Sequence, residues 1–128
     1  MDSMRIDRTE RSPEVDFNFG NNVFSLRGES YPEDVPAFFG PYISALETHL
    51  GGLNSGNVAF NFEMTYFNST SAKVVMKLFD LLEKTAEKGV AVTVNWLFDA
   101  EDDNMEELGE EFGEDLKIAT FNLVPHRS

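Results

Sequence analysis

The sequence predicts an α/β fold: a mixed sheet in which an N-terminal β-hairpin is followed by β-α-β-α-β units, with the helices packed on the sheet. Three observations predict it. Apolar residues alternate over Val15, Phe17 and Phe19, and again over Val58, Phe60, Phe62 and Met64, as in half-buried strands. They recur at helical spacing over Phe39, Tyr42, Ile43, Leu46 and Leu50, and over Val74, Val75, Leu78, Phe79, Leu81 and Leu82. After the hairpin the two kinds of segment take turns, which is the pattern of parallel strands joined by right-handed crossovers.

Each element has a local reason. Residues 1–12 are polar and are expected to form a flexible arm, leaving 13–128 as the domain. EVDFNF is the first strand, Gly20-Asn21-Asn22 supplies turn chemistry, and VFSLRG is the return strand. Two prolines then punctuate ESYPEDVP, and a helix is expected to start near Pro36 and to stop at Gly51-Gly52. NVAFNFEMTYF is a strand, and a helix of about five turns is expected from Ser71 to Lys88, closed by Gly89. VAVTVNWLF is almost continuously apolar, as a strand covered on both faces would be. EDDNMEELGEEF predicts a short acidic helix and LKIATFNLV the last strand.

At 128 residues the chain suits one domain. No apolar run approaches the roughly 18–20 residues of a membrane span, so membrane insertion is not expected. The charged start MDSMRIDRTERSPE lacks the apolar core of a secretion signal, and a cytoplasmic location fits. Without cysteine there is no disulfide framework and no thiolate chemistry. Twenty-three acidic residues against 10 basic ones give a formal charge of −13. Such a surface repels phosphate backbones, which argues against a nucleic-acid partner and for proteins with basic patches. The same charge also serves plain solubility.

Catalytic patterns are absent from the sequence. His49 and His126 are the only histidines, and neither G-x-S-x-G nor a glycine-rich phosphate loop occurs. The run Asp99 to Glu111 places acidic residues at several positions of a calcium-loop register. It has Asn104 where that loop needs glycine, so an acidic helix start explains it better, and no metal or other cofactor is expected.

The feature that remains is Tyr66 to Lys73, YFNSTSAK. One cap residue is enough to start a helix, yet Asn68, Ser69, Thr70 and Ser71 stand in a row. They lie between the C-terminal end of a strand and a helix N-terminus, the edge at which α/β sheets gather ligands. A phosphate added there would meet free N–H groups and the positive end of the helix dipole. It would add about −1.5 to −2 charges, enough to repel a docked partner. Capping alone and a phosphoswitch both fit these residues.

Three segments together resemble a known family. They are Gly28-Glu29-Ser30-Tyr31-Pro32-Glu33, the stretch Tyr66 to Lys73, and Asn95-Trp96-Leu97-Phe98-Asp99 followed by Glu107 to Phe112. The layout resembles the STAS domain of anti-sigma-factor antagonists, and more closely the SiaC family of bacterial regulatory phosphoproteins. The resemblance implies a non-enzymatic STAS-like switch. Its partners would be a cognate Ser/Thr kinase, a PP2C-type phosphatase and a diguanylate cyclase. The unphosphorylated form would activate the cyclase and so promote cyclic di-GMP synthesis and biofilm formation. The family's phosphoacceptor is a threonine directly after the asparagine of the motif. Ser69 holds that position here and Thr70 follows, so the order of candidates is Ser69, then Thr70, with Ser71 the plainer cap. Asp34 replaces the family's asparagine after Pro-Glu. The expected partner surface combines Ser30, Tyr31, Pro32 and Glu33 with Asn68, Ser69, Thr70, Ser71, Lys73 and Lys77. The two lysines lie one turn apart and can face an acidic partner, the phosphate or only solvent. A different reading is a STAS-like sensor of a small molecule or lipid, since the chain holds 12 phenylalanines, and a third is a structural assembly module.

Overall fold

The strands stand in the sheet in the same order as in the chain. The computed structural model describes residues 3–126. Its elements are β1 (Met4–Ile6), β2 (Glu14–Asn18), β3 (Val23–Ser30), α1 (Val35–Gly51), β4 (Asn57–Phe67), α2 (Ser69–Glu87), β5 (Ala91–Asp99), α3 (Asp103–Gly113) and β6 (Thr120–His126). β1, β2 and β3 pair antiparallel, and β3, β4, β5 and β6 pair parallel. Each parallel step moves one place in the same direction, so three right-handed crossovers put α1, α2 and α3 on one face. Among the described residues no helix is long and apolar enough to cross a membrane.

The mixed α/β sheet with its leading hairpin is as the sequence predicts, with differences of detail. β1 lies inside the segment 1–12 that composition reads as a loose arm. Its register sets Met4 against Phe17 and Arg5 against Asp16, and Arg5 also bonds Glu14. Backbone pairing rather than hydropathy holds this strand, which is why the polar composition hid it. Residues 1 and 2, the start of that arm, lie outside the described residues.

The second difference is β5. Val92, Val94, Trp96 and Phe98 are buried, while Thr93, Asn95 and Leu97 on the other face are only half-buried. The strand is therefore covered by helices on one face, not two. Its other face looks continuous with the core in hydropathy because Ala91 and Thr93 are small or β-branched. That face carries a polar row in register, Ser25, Asn61, Asn95 and Asn122. Asn95 donates to Asn61 at 2.9 Å, and Asn122 donates to Asn95 at 2.9 Å.

The core lies between sheet and helices and is mainly aromatic. Phe60 and Phe62 stack with centroids 4.4 Å apart, and Phe62 meets Trp96 at 5.6 Å. α3 lies close against this layer because two of its residues have no side chain. A Cβ on Gly109 would stand 2.5 Å from Trp96, and one on Gly113 would stand 2.5 Å from Phe121. The Trp96 indole donates to the Met105 carbonyl at 3.0 Å, which fixes the ring under α3.

β6 starts later than the sequence pattern suggests. Residues 117–119 bend over α2, where the Glu83 carboxylate accepts from the N–H groups of Lys117, Ile118 and Ala119 at 2.9–3.1 Å. Burial pushes the Glu83 carboxyl up, but these backbone donors outweigh it and hold the group below its ordinary value.

Candidate functional site

β4 ends at Phe67 and α2 begins at Ser69, so a single residue turns the chain from sheet to helix. That residue is Asn68. Its backbone is extended, and its Oδ1 accepts from the Ser71 N–H at 2.8 Å. This is N-cap geometry, so the cap is Asn68 and not Ser71. Ser71 does a different job. Its hydroxyl is buried and bonds the buried Ser30 hydroxyl at 2.8 Å. The Asn68 N–H also donates to the Ser30 carbonyl at 3.1 Å. Ser30 and Ser71 thus form an internal strut between the end of β3 and the start of α2. A partner could not reach either hydroxyl directly.

The structure brings both predicted segments together. Beyond Ser30, the Tyr31 N–H donates to the Arg11 carbonyl at 2.6 Å, and the Tyr31 ring meets Tyr66 edge-to-face at 5.8 Å. Tyr66 is half exposed. Pro32 is half-buried and Glu33 exposed. Asp34, which stands in place of the family's asparagine, caps α1 by accepting from Ala37 N–H at 3.1 Å. The helix start is therefore one residue earlier than Pro36, with proline still in the first turn.

Ser69 and Thr70 are exposed first-turn residues. The N–H groups there have no intrahelical acceptor and sit at the positive end of the dipole. Asn68 and Ser71 perform the local structural work, which leaves the Ser69 and Thr70 hydroxyls without a protein partner among the described residues. Thr70, Lys73 and Lys77 also border a groove of about 380 Å³ between α1 and α2. Its opposite wall carries Val35, Pro36, Phe39, Gly40, Ile43, Ser44 and Glu47.

Sequence reasoning assigned Phe39 and Ile43 to the core and did not find the groove. One sign was present: Gly40 and Ser44, small residues one turn apart, lie on the side of α1 that faces α2. The two histidines lie elsewhere. His49 is in the last turn of α1, where its Nε2 is 2.6 Å from the Asn22 Oδ1, and burial holds its pKa below the ordinary value. His126 lies 3.6 Å from Glu63 on the open sheet face. The acidic run starts α3: Asp102 is its N-cap, with Asp103 and Glu106 in the first turn.

Comparison with known proteins agrees with this fold. The model of the SiaC family of regulatory phosphoproteins matches residues 6–126. The chain is 30% identical over 126 residues to an uncharacterised protein of Pseudomonas aeruginosa (strain UCBPP-PA14), spanning 98% of each. It is similar to the crystal structure of apo-SiaC from Pseudomonas aeruginosa, with a TM-score of 0.87 and 30% identity over 97% of this chain and 99% of that one. It is also similar to a chain in the crystal structure of diguanylate cyclase SiaD in complex with its activator SiaC from the same organism. There the TM-score is 0.90 and the identity 29%, over 96% of this chain and 99% of that one.

Proposed function

Because this chain belongs to the SiaC family of regulatory phosphoproteins, we propose that it is a non-enzymatic switch that activates a diguanylate cyclase when it is unphosphorylated. A cognate Ser/Thr kinase turns it off at Ser69, and a PP2C-type phosphatase restores it. The output is cyclic di-GMP and, through it, biofilm formation. SiaC of Pseudomonas aeruginosa is the activator of the cyclase SiaD, and the near-complete overlap of the two chains supports the same kind of partner here.

One observation carries the choice of site. Ser69 is an exposed hydroxyl at the first position of a 19-residue helix whose cap is already supplied by Asn68. A phosphate there enters without removing a structural bond and meets backbone donors and a favourable dipole. Thr70 is the second candidate, since it too is exposed. Ser71 is the last, since phosphorylation would require breaking its buried bond to Ser30.

The test pairs the chain with the kinase encoded beside it and ATP, and maps phosphate by mass spectrometry. Phosphate on Ser69, lost in Ser69→Ala, is expected. Phosphate on none of Ser69, Thr70 and Ser71 would end the switch reading. In a cyclase assay Ser69→Ala should activate like the wild type and Ser69→Asp should activate less. Equal activation would exclude an electrostatic mechanism.

A further inference from the structure

Four lysines lie between residues 69 and 88, and their duties divide sharply. Lys84 pairs with Asp80 at 3.0 Å. Lys88 donates to the carbonyls of Leu50 and Gly51 at the end of α1, at 2.8 and 3.3 Å. Lys73 and Lys77 have no ion pair among the described residues, although the chain holds 23 carboxylates. Both unpaired lysines border the same apolar groove between α1 and α2. Its floor is Phe39, Ile43 and Val74, and the small Gly40 and Ser44 leave it open on the α1 side. A Cβ built on Gly40 would meet nothing within 4 Å.

We propose that this groove is the anchor site for the partner protein, and that it takes a large apolar side chain from an amphipathic helix whose flanking residues are acidic. The proposal rests on the switch reading above and deepens it by naming the surface and the chemistry that fits it. The apolar floor offers burial to a leucine-, methionine- or phenylalanine-sized group. Lys73 and Lys77 offer two free cations, one turn apart, to carboxylates on the partner's flank. A strongly acidic chain would otherwise repel an acidic partner, so the two lysines on the α2 side, with Glu47 on the α1 side of the same groove, also set the docking orientation. The central apolar anchor with a charged rim is the usual division of energy in such contacts.

This geometry also accounts for how phosphate on Ser69 would act. Lys73 lies four residues after Ser69, the spacing and order at which a helix favours an acid-base pair. The phosphate would claim the lysine that the partner's carboxylate needs and would set a second negative charge beside it. Thr70, next in the chain, is itself part of the groove rim.

The experiment measures affinity for the purified cognate diguanylate cyclase by calorimetry, with three variants of the full chain. Ser44→Phe fills the groove from an exposed helix position, and binding should weaken about tenfold or more. Lys73→Glu with Lys77→Glu should weaken it at least as much, and the loss should shrink as salt rises. Lys84→Glu, a single charge reversal away from the groove, should stay within about twofold. Circular dichroism and melting temperature establish that each variant folds. If Ser44→Phe melts below the wild type, Ser44→Leu serves as a smaller filler. Wild-type-like affinity in folded Ser44→Phe and Lys73→Glu/Lys77→Glu would overturn the groove while leaving the cyclase reading intact. Failure of the wild-type chain to bind the cyclase would overturn both. Binding of a small apolar ligand in the groove with no effect on cyclase affinity would assign the groove to a sensor function and also refute the proposal.

Discussion

Replacing Glu83 by alanine should loosen the join between α2 and the entry to β6. The Glu83 carboxylate accepts from three consecutive N–H groups, those of Lys117, Ile118 and Ala119, at 2.9–3.1 Å. A hydrogen bond to a charged group contributes about 1.5–3 kcal/mol, so simple addition would give far more than this site can hold. Lys117 and Ile118 are exposed, and their N–H groups can turn to water. Ala119 is 7% exposed, and its N–H would be left with little solvent access. The loss is therefore close to one charged bond plus one unsatisfied donor, about 2–3 kcal/mol. Glutamine should do little better, since its single oxygen serves at most two donors and its NH₂ faces the third. The pH dependence follows from the lowered pKa. A carboxyl depressed in the folded state contributes stability that is present above its unfolded value, and it is lost as pH falls through the folded value. Chemical denaturation of wild type and Glu83→Ala should differ by about 2–3 kcal/mol at neutral pH, and the gap should narrow as pH falls through the folded-state pKa. Amide exchange should quicken at residues 117–119 before it does in β5. A variant within about 0.5 kcal/mol of wild type at neutral pH, or a gap that does not narrow in acid, would refute the reasoning.

Gly109→Ala should destabilise the fold by about 1–3 kcal/mol, because its Cβ would stand 2.5 Å from a Trp96 ring that cannot retreat from its bond to Met105; urea titration checks this, and wild-type stability would show that α3 slides freely. Ser30→Ala alone should cost about 1–3 kcal/mol by leaving the Ser71 hydroxyl buried and unpaired, whereas Ser30→Ala with Ser71→Ala should cost less than the sum of the two single changes; additive costs in the double-mutant cycle would mean that the strut is not a unit. Asn68→Ala should cost about 1 kcal/mol through loss of the α2 cap, seen as fraying of the first turn by amide exchange, and an unchanged first turn would contradict the assignment of the cap to Asn68.

Most of the architecture was legible because its causes are local. Alternation in β4 and the 3.6-residue period of α2 come from one-sided burial, and a one-sided layer writes its period into the sequence. β1 was illegible because a three-residue edge strand is held by its ladder, and a ladder has no side-chain signature. β5 was misread for the opposite reason. Thr93 and Ala91 are compatible with a core, and only the crossover hand decides that no helix covers them. At the site, YFNSTSAK disclosed where the helix starts but not which residue caps it, since Asn, Ser and Thr all cap well. The strut between Ser30 and Ser71 joins residues 41 apart and needed the fold to be seen. The groove was hidden because Phe39 and Ile43 fit the core-facing period of α1 as well as they fit its wall.

The arrangement of duties along α2 gives the functional reading its physical basis. A side chain that caps, braces or pairs cannot be modified or recruited without a structural cost. At the N-terminal end Asn68 caps and Ser71 braces; in the second half Glu83 holds the β6 entry, Lys84 pairs with Asp80 and Lys88 holds the end of α1. Among these named polar groups, the ones left without such work are Ser69, Thr70, Lys73 and Lys77. They fall within about two turns of one another, and three of the four border the groove. Polar residues without internal partners are ordinary on a surface when they are scattered. Here they are grouped at a helix N-terminus, beside an apolar-lined groove, in a chain whose acidity would otherwise discourage an acidic partner. A charge added at Ser69 changes this group and leaves the cap, the strut and the core bonds in place. The energy of phosphorylation would thus go into the docking surface and not into unfolding the domain. That is the property a reversible switch requires.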